Sequence, residues 1–124
     1  MKKIWMFILM TIALTTTCCE QQSFEDADPE TFAEVIARPN VVLLDVRPAA
    51  DFAVAHIDRA IHIDFMQPDF LEMAKKNLPL DKTIAVYCRG GGRSVKAAKK
   101  LSAAGYHVVN LKGGFIAWQE AKMP

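Results

Sequence analysis

Three stretches of the chain are apolar almost without a break. Val41-Val42-Leu43-Leu44-Asp45-Val46 and Thr83-Ile84-Ala85-Val86-Tyr87 are rich in β-branched residues and bounded by turn signals, and Tyr106 to Leu111 is similar, with His107 as its one exposed position. Short runs of this kind read as strands covered on both faces. Between them the apolar residues recur at helical spacing. Phe32, Val35 and Ile36 share one face of a helix that Asp28 caps, Pro29 opens and Arg38-Pro39-Asn40 closes. Asp69 to Leu78 is amphipathic, with Phe70, Met73 and Ala74 inward and Lys75-Lys76 at its C-terminal end. Ser94 to Ala104 repeats Val95, Ala98 and Leu101 against a lysine face of Lys96, Lys99 and Lys100, and Gly105 closes it. Pro48 to Ala55 predicts one short helix with Phe52 toward the core. His56 to Ile63 predicts a turn and a short alternating strand. Phe115 to Lys122 predicts a last helix after the Gly113-Gly114 turn, with Trp118 packed on the sheet.

Strands alternating with helices imply a parallel sheet of about five strands with helices on both faces, an α/β fold. Ligands of such sheets bind outside the carboxyl ends of the strands. No internal repeat or low-complexity segment interrupts the pattern.

The N-terminus follows a different rule. Lys2-Lys3 precede an apolar run from Ile4 to Leu14, which is too short to span a bilayer comfortably, and Thr15-Thr16-Thr17-Cys18-Cys19 follows. This is an export signal over residues 1–17 rather than part of the fold. A cysteine at the end of the apolar run resembles the lipobox of bacterial lipoproteins, with Cys18 the expected lipidation site and Cys19 the alternative. Residues 18–27 then read as a polar, acidic tether with room for a short first strand at its end, and 28–124 as the domain. The expected location is the cell envelope, held at the membrane by lipid, with a soluble periplasmic or secreted protein as the alternative.

Removing Lys2 and Lys3 from the 15 basic residues leaves 13 against 14 acidic ones, a net charge of −1. Such a balance gives no basic surplus for nucleic acid. The chain has three cysteines, and two sit at the signal boundary. Cys88 is then the one thiol of the domain, without an internal disulfide framework or a resolving partner. No Cys/His spacing suggests zinc, and no cofactor or metal is expected. A monomer is the expected state.

Cys88-Arg89-Gly90-Gly91-Gly92-Arg93-Ser94 is where the chemistry concentrates. It places a cysteine where a strand ends and a glycine turn feeds a helix N-terminus. Unpaired backbone N–H groups and the positive end of a helix dipole converge there. Successive amides in such a turn form an anion-binding nest. These surroundings favour a thiolate and make a cysteine nucleophilic. Arg89 and Arg93 add cationic charge, so the candidate binding groups are Arg89, Gly90, Gly91, Gly92, Arg93 and Ser94. Asp45 sits on a buried strand and needs partners; backbone amides or a nearby arginine are expected to supply them. Arg47 beside it is a structural or substrate-facing cation. His56 and His62 are most simply hydrogen-bonded structural side chains.

With these pieces in place, the chain from Asp28 onward resembles a single-domain rhodanese, a sulfurtransferase domain. The resemblance rests on Leu44-Asp45-Val46-Arg47, on Phe52 with His56-Ile57 and Ala60, on the Cys88 to Ser94 loop, and on Leu111-Lys112-Gly113-Gly114-Phe115 with Trp118. It departs at Ala55 and Arg59, where the family often has glycine, and a changed local turn is expected there. The resemblance implies transfer of sulfane sulfur from thiosulfate or a persulfide or polysulfide donor to cyanide or a thiol through a persulfide on Cys88. Two other readings stand beside it. One is a non-catalytic persulfide carrier or partner-binding module. The other is a cysteine phosphatase of the same fold; its loop resembles Cys-x5-Arg, whereas Arg93 follows Cys88 after only four residues.

Overall fold

The structure is a computed structural model that describes residues 24–124. Cys18, Cys19 and the signal segment lie outside the described residues. Five strands, β1 (Glu25–Ala27), β2 (Val41–Asp45), β3 (Ile61–His62), β4 (Thr83–Tyr87) and β5 (Val108–Leu111), form one sheet in the order β1-β5-β4-β2-β3. Every neighbouring pair is parallel. Five helices alternate with them: α1 (Pro29–Ile36), α2 (Ala49–Val54), α3 (Phe70–Asn77), α4 (Gly92–Ala103) and α5 (Gly114–Glu120). The expected parallel sheet covered on both faces is what the chain forms.

Strand pleating divides the core into two layers. Leu44, Val46, Ile84, Val86 and Val108 point to one face, against Phe70 and Ala74 of α3 and Ala97, Ala98 and Leu101 of α4. Leu43, Ala85, Tyr87, Val109 and Leu111 point to the other, against Phe32 and Val35 of α1 and Trp118 of α5. Two-sided burial explains why the strand sequences run apolar instead of alternating. Phe32 meets Trp118 edge to face, with ring centroids 6.1 Å apart. Asp28 caps α1 as its position suggested, accepting a 2.8 Å hydrogen bond from the Thr31 amide.

The short first strand expected at the end of the tether is β1, which closes the far edge of the sheet beside β5. Three details differ from the sequence reading. Helix α4 starts at Gly92, two residues before the expected Ser94. Met73 is 40% exposed, so α3 buries only Phe70 and Ala74. Phe52 does not enter the core either, since α2 buries no residue. Its ring stacks on His56 at 3.8 Å and lies 4.9 Å from His62.

Arg59, at one of the two departures from family glycine, adopts φ 68°. The left-handed conformation survives without the glycine that normally fills it, at a cost of about 1–2 kcal/mol. The other departure, Ala55, has φ −163°, an extended backbone open to any residue. Only one of the two turns is therefore strained.

Candidate active site

β4 ends at Tyr87, and Cys88 opens the loop at the carboxyl edge of the sheet. Gly91 makes the sharp turn into α4. Its φ of 101° and αL conformation at the helix N-cap require glycine. That turn aims the Gly91 amide back at the cysteine, donating to Cys88 Sγ at 3.0 Å. The amides of Gly92 and Arg93 stand in the first turn of α4, where no intrahelical acceptor exists. The loop amides of Arg89 and Gly90 donate to no protein group among the described residues. Cys88 is only 2% exposed, yet its side chain lies at the floor of an open cavity of about 400 Å³. Arg89, Gly90, Gly92 and Arg93 line that cavity with it. A Cβ at Gly90 or Gly92 would meet nothing within 4 Å, so the space above both is free for a ligand.

A second turn braces the loop from behind. Phe115 N donates to Cys88 O at 2.8 Å and Ile116 N to Arg89 O at 3.0 Å. The first amides of α5 thus hold the two carbonyls that precede the glycines. Gly114, φ 64°, sits directly against them: a Cβ there would fall 2.5 Å from Arg89 O and 2.6 Å from Cys88 O. Tyr87 fixes the loop's near end. Val46 N donates to its carbonyl at 3.1 Å, and its hydroxyl accepts from Ile57 N at 3.0 Å. Burial, above all else, pushes the Tyr87 phenol up from its ordinary pKa, so it stays neutral.

The other expected residues sort into two groups. Asp45 and Arg47 lie behind the site rather than in contact with the sulfur. Asp45 is fully buried and accepts from the Arg47 amide at 2.9 Å and from its side chain at 2.7 to 3.0 Å. Arg47 Nη2 also donates to Ala55 O at 2.6 Å, and its guanidinium lies 4.5 Å above the Phe115 ring. Burial works against the Arg47 charge, but Asp45's hydrogen bonds and negative charge outweigh it, and the Arg47 pKa is raised. The pair ties β2, α2 and α5 together, and removing one member of such a buried pair costs about 3–5 kcal/mol. Arg47 is thus engaged as a structural cation, and it does not line the Cys88 cavity. Ser94 belongs with it: it is fully buried and its hydroxyl donates to Gly91 O at 3.2 Å, bracing the turn rather than lining the cavity. His56 Nδ1 contacts Phe52 O at 2.8 Å and His62 Nε2 contacts Arg47 O at 2.6 Å, which makes both structural.

Three cavity residues escaped the sequence reading: Pro48 and Asp51, at the start of α2, and Ile116 of α5. They come from segments read as scaffold. The one available signal was the placement of α2 and α5 right after strands that end at the same edge. A larger cavity of about 680 Å³ lies beside β3 and α3, but it contains no nucleophile and its His62 is already tied to the backbone.

What the arrangement can do is hold a thiolate, and an anion attached to it, among backbone donors and two arginines. Comparison with known proteins bears on this. A rhodanese-like domain model matches residues 28–121. A sulfurtransferase of Allochromatium vinosum is 32% identical over 101 residues, spanning 80% of this chain and 92% of that protein. The chloroplastic thiosulfate sulfurtransferase 16 of Arabidopsis thaliana is 35% identical over 91 residues, 65% of this chain and 76% of that protein. Among solved structures, a rhodanese-related protein of Thermoplasma volcanium superposes with a TM-score of 0.71 at 30% identity, covering 82% of this chain and 96% of its own. Since the matched span runs from the cap of α1 through α5 and includes the whole cysteine loop, the chain belongs to the rhodanese-like domain family.

Proposed function

We propose that this protein is a sulfurtransferase that carries sulfane sulfur on Cys88, from thiosulfate or a persulfide or polysulfide donor to cyanide or a thiol. The observation that carries the reading is the Gly91 amide donating to Cys88 Sγ at 3.0 Å on the floor of an open cavity. In the first step the Cys88 thiolate attacks the outer sulfur of thiosulfate. A new S–S bond forms, the old one breaks, and its electron pair leaves with sulfite. In the second step cyanide attacks the outer sulfur, leaves as thiocyanate and returns the thiolate. Charge and oxidation state balance in both steps without a further reagent. The persulfide is itself an anion, and the amides of the glycine turn suit it as they suit the thiolate. Cys88 is the one free cysteine among the described residues, so no neighbouring thiol there strips the outer sulfur before an acceptor arrives.

Intact mass tests this. Thiosulfate should add one sulfur atom to the protein, on the peptide containing Cys88, and cyanide should remove it as thiocyanate. Cys88-dependent turnover of an aryl phosphate, with no sulfur taken from any donor, would overturn the reading.

We propose as well that the chain is anchored in the cell envelope by lipid on Cys18, with Cys19 the alternative. The support is the apolar run from Ile4 to Leu14, behind Lys2-Lys3 and ahead of the cysteine pair. No described helix is long and apolar enough to cross a membrane. Full-length protein from a bacterial host is expected to partition into detergent and to carry acyl mass on its mature N-terminal cysteine. Cys18→Ala combined with Cys19→Ala should abolish that mass, and the single variants show which cysteine bears it. An unacylated mature N-terminus beyond Cys19 would overturn the proposal.

A further inference from the structure

The Cys88 cavity does not end at the loop. A second cavity of about 240 Å³ adjoins it and shares Asp51, Arg89 and Ile116 with it. The rest of its wall combines the apolar Val54, Ala55 and Phe115 with Arg47 and Gln119. Phe115 is pinned there beneath the Arg47 guanidinium at 4.5 Å, and Val54 stands 88% exposed at the end of α2. Ile116, at the junction, is 43% exposed. Thiosulfate is a compact dianion, and nothing in it would use an apolar wall. Exposed apolar side chains gathered at the mouth of a site mark a surface meant to be covered.

Asp51 adds a second constraint. It lines both cavities, and no hydrogen bond or ion pair engages its carboxylate among the described residues. Arg47, the cation whose field it joins, is already matched by Asp45. The first turn of α2 accounts for an acidic residue there, but not for one that lines the ligand space. A fixed negative charge beside Arg89 and Arg93 admits one anionic group on the sulfur end and repels a second.

Resting on the sulfurtransferase reading, we propose that Asp51 and Val54 determine donor specificity. Together they select a monoanionic organic sulfane-sulfur donor, its sulfur end over Cys88 and its apolar body in the second cavity, over the thiosulfate dianion. The chemistry is unchanged. With benzenethiosulfonate as the donor, the Cys88 thiolate attacks the terminal sulfur, the donor's S–S bond breaks, and benzenesulfinate leaves with the electron pair. One anion and one thiolate become one persulfide anion and one sulfinate.

The experiment is a comparison of kcat/KM for benzenethiosulfonate and thiosulfate, with cyanide as acceptor. The protein as it stands should favour benzenethiosulfonate. Asp51→Asn should lower the preference about ten-fold, through a rise in thiosulfate use, and Asp51→Glu should restore it. Val54→Ser should lower the preference about three-fold through a loss on the organic donor. Both sites are exposed or half-exposed, and thermal melts establish that the variants fold. If both variants transfer sulfur with the original preference, the specificity inference is overturned and the sulfurtransferase reading stands. If the parent protein takes sulfur from neither donor, that reading fails and the inference falls with it.

Discussion

Cys88→Ser is expected to take up no sulfur from any donor and to form no thiocyanate. The substitution is small in volume, but it removes the property the site is built around. A serine hydroxyl stays protonated at neutral pH, and no imidazole is free to take its proton, because His56 and His62 are engaged with backbone carbonyls. The donor's outer sulfur reacts with a soft thiolate, and an alcohol does not replace it. The Gly91 amide stands 3.0 Å from Sγ, and the shorter C–O bond would withdraw the acceptor from it. The fold should survive. Cys88 is a small residue at the core's edge, and the loop around it is fixed by backbone bonds from Phe115 and Ile116. A stability loss of about 1 kcal/mol is expected from placing a hydroxyl at that nearly buried site. Intact mass after thiosulfate, read beside a urea melt, checks both halves. Sulfur uptake by the serine variant would show that the transferred atom rides on another residue.

The sheet and its flanking helices were legible because their causes are local. Val41 to Leu44 and Ile84 to Tyr87 are apolar on both pleat faces, and only a strand covered on both sides makes use of that. The cysteine loop was legible for a similar reason: three consecutive glycines between a β-branched run and a helix leave few conformations other than a tight turn. Asp45 could be read as well. A carboxylate on a buried strand demanded a partner, and Arg47, two residues away, supplies one.

The misses share a cause too. Phe52 and Met73 were turned inward on periodicity alone. Periodicity shows that a helix has an apolar face but not whether a core lies opposite it. α2 lies at the edge of the site, and the Phe52 ring packs on the imidazoles of His56 and His62. Ser94 ends the Cys88 loop in the sequence and is expected there among its binding groups. Starting α4 at Gly92 moves Ser94 into the first turn and rotates it into the protein. Asp51 and Ile116 reach the cavity only through the parallel topology that brings the ends of β2, β4 and β5 together, and no spacing along the chain encodes that meeting.

Gly114→Ala is expected to cost both stability and activity, although residue 114 is far in sequence from the cysteine. Two effects add. Its φ of 64° lies in the left-handed region, where a Cβ costs about 1–2 kcal/mol. The new methyl would also stand 2.5 Å from Arg89 O, 2.6 Å from Arg89 C and 2.6 Å from Cys88 O. These are backbone atoms, not the free end of a side chain, so relief means moving the loop. Overpacking of this kind costs about 1–3 kcal/mol, which brings the expected loss to about 2–5 kcal/mol. A loop pushed outward stretches the bonds from Phe115 N to Cys88 O and from Ile116 N to Arg89 O, which are 2.8 and 3.0 Å long. The sulfur moves with its own carbonyl, away from the donors arranged around it. A misplacement of about 1 Å at a reacting centre is worth about a hundred-fold in rate. Gly90→Ala is the matched control for stability: a Cβ there meets nothing within 4 Å and the backbone is not in the left-handed region. Urea midpoints for the two variants should therefore separate widely, while the rate of sulfur loading by Gly114→Ala falls about a hundred-fold in conditions where the variant is still folded. Parent-like stability and loading in Gly114→Ala would mean that the loop is not held by the turn behind it, and that the contact between the β5–α5 turn and the cysteine loop has no part in shaping the site.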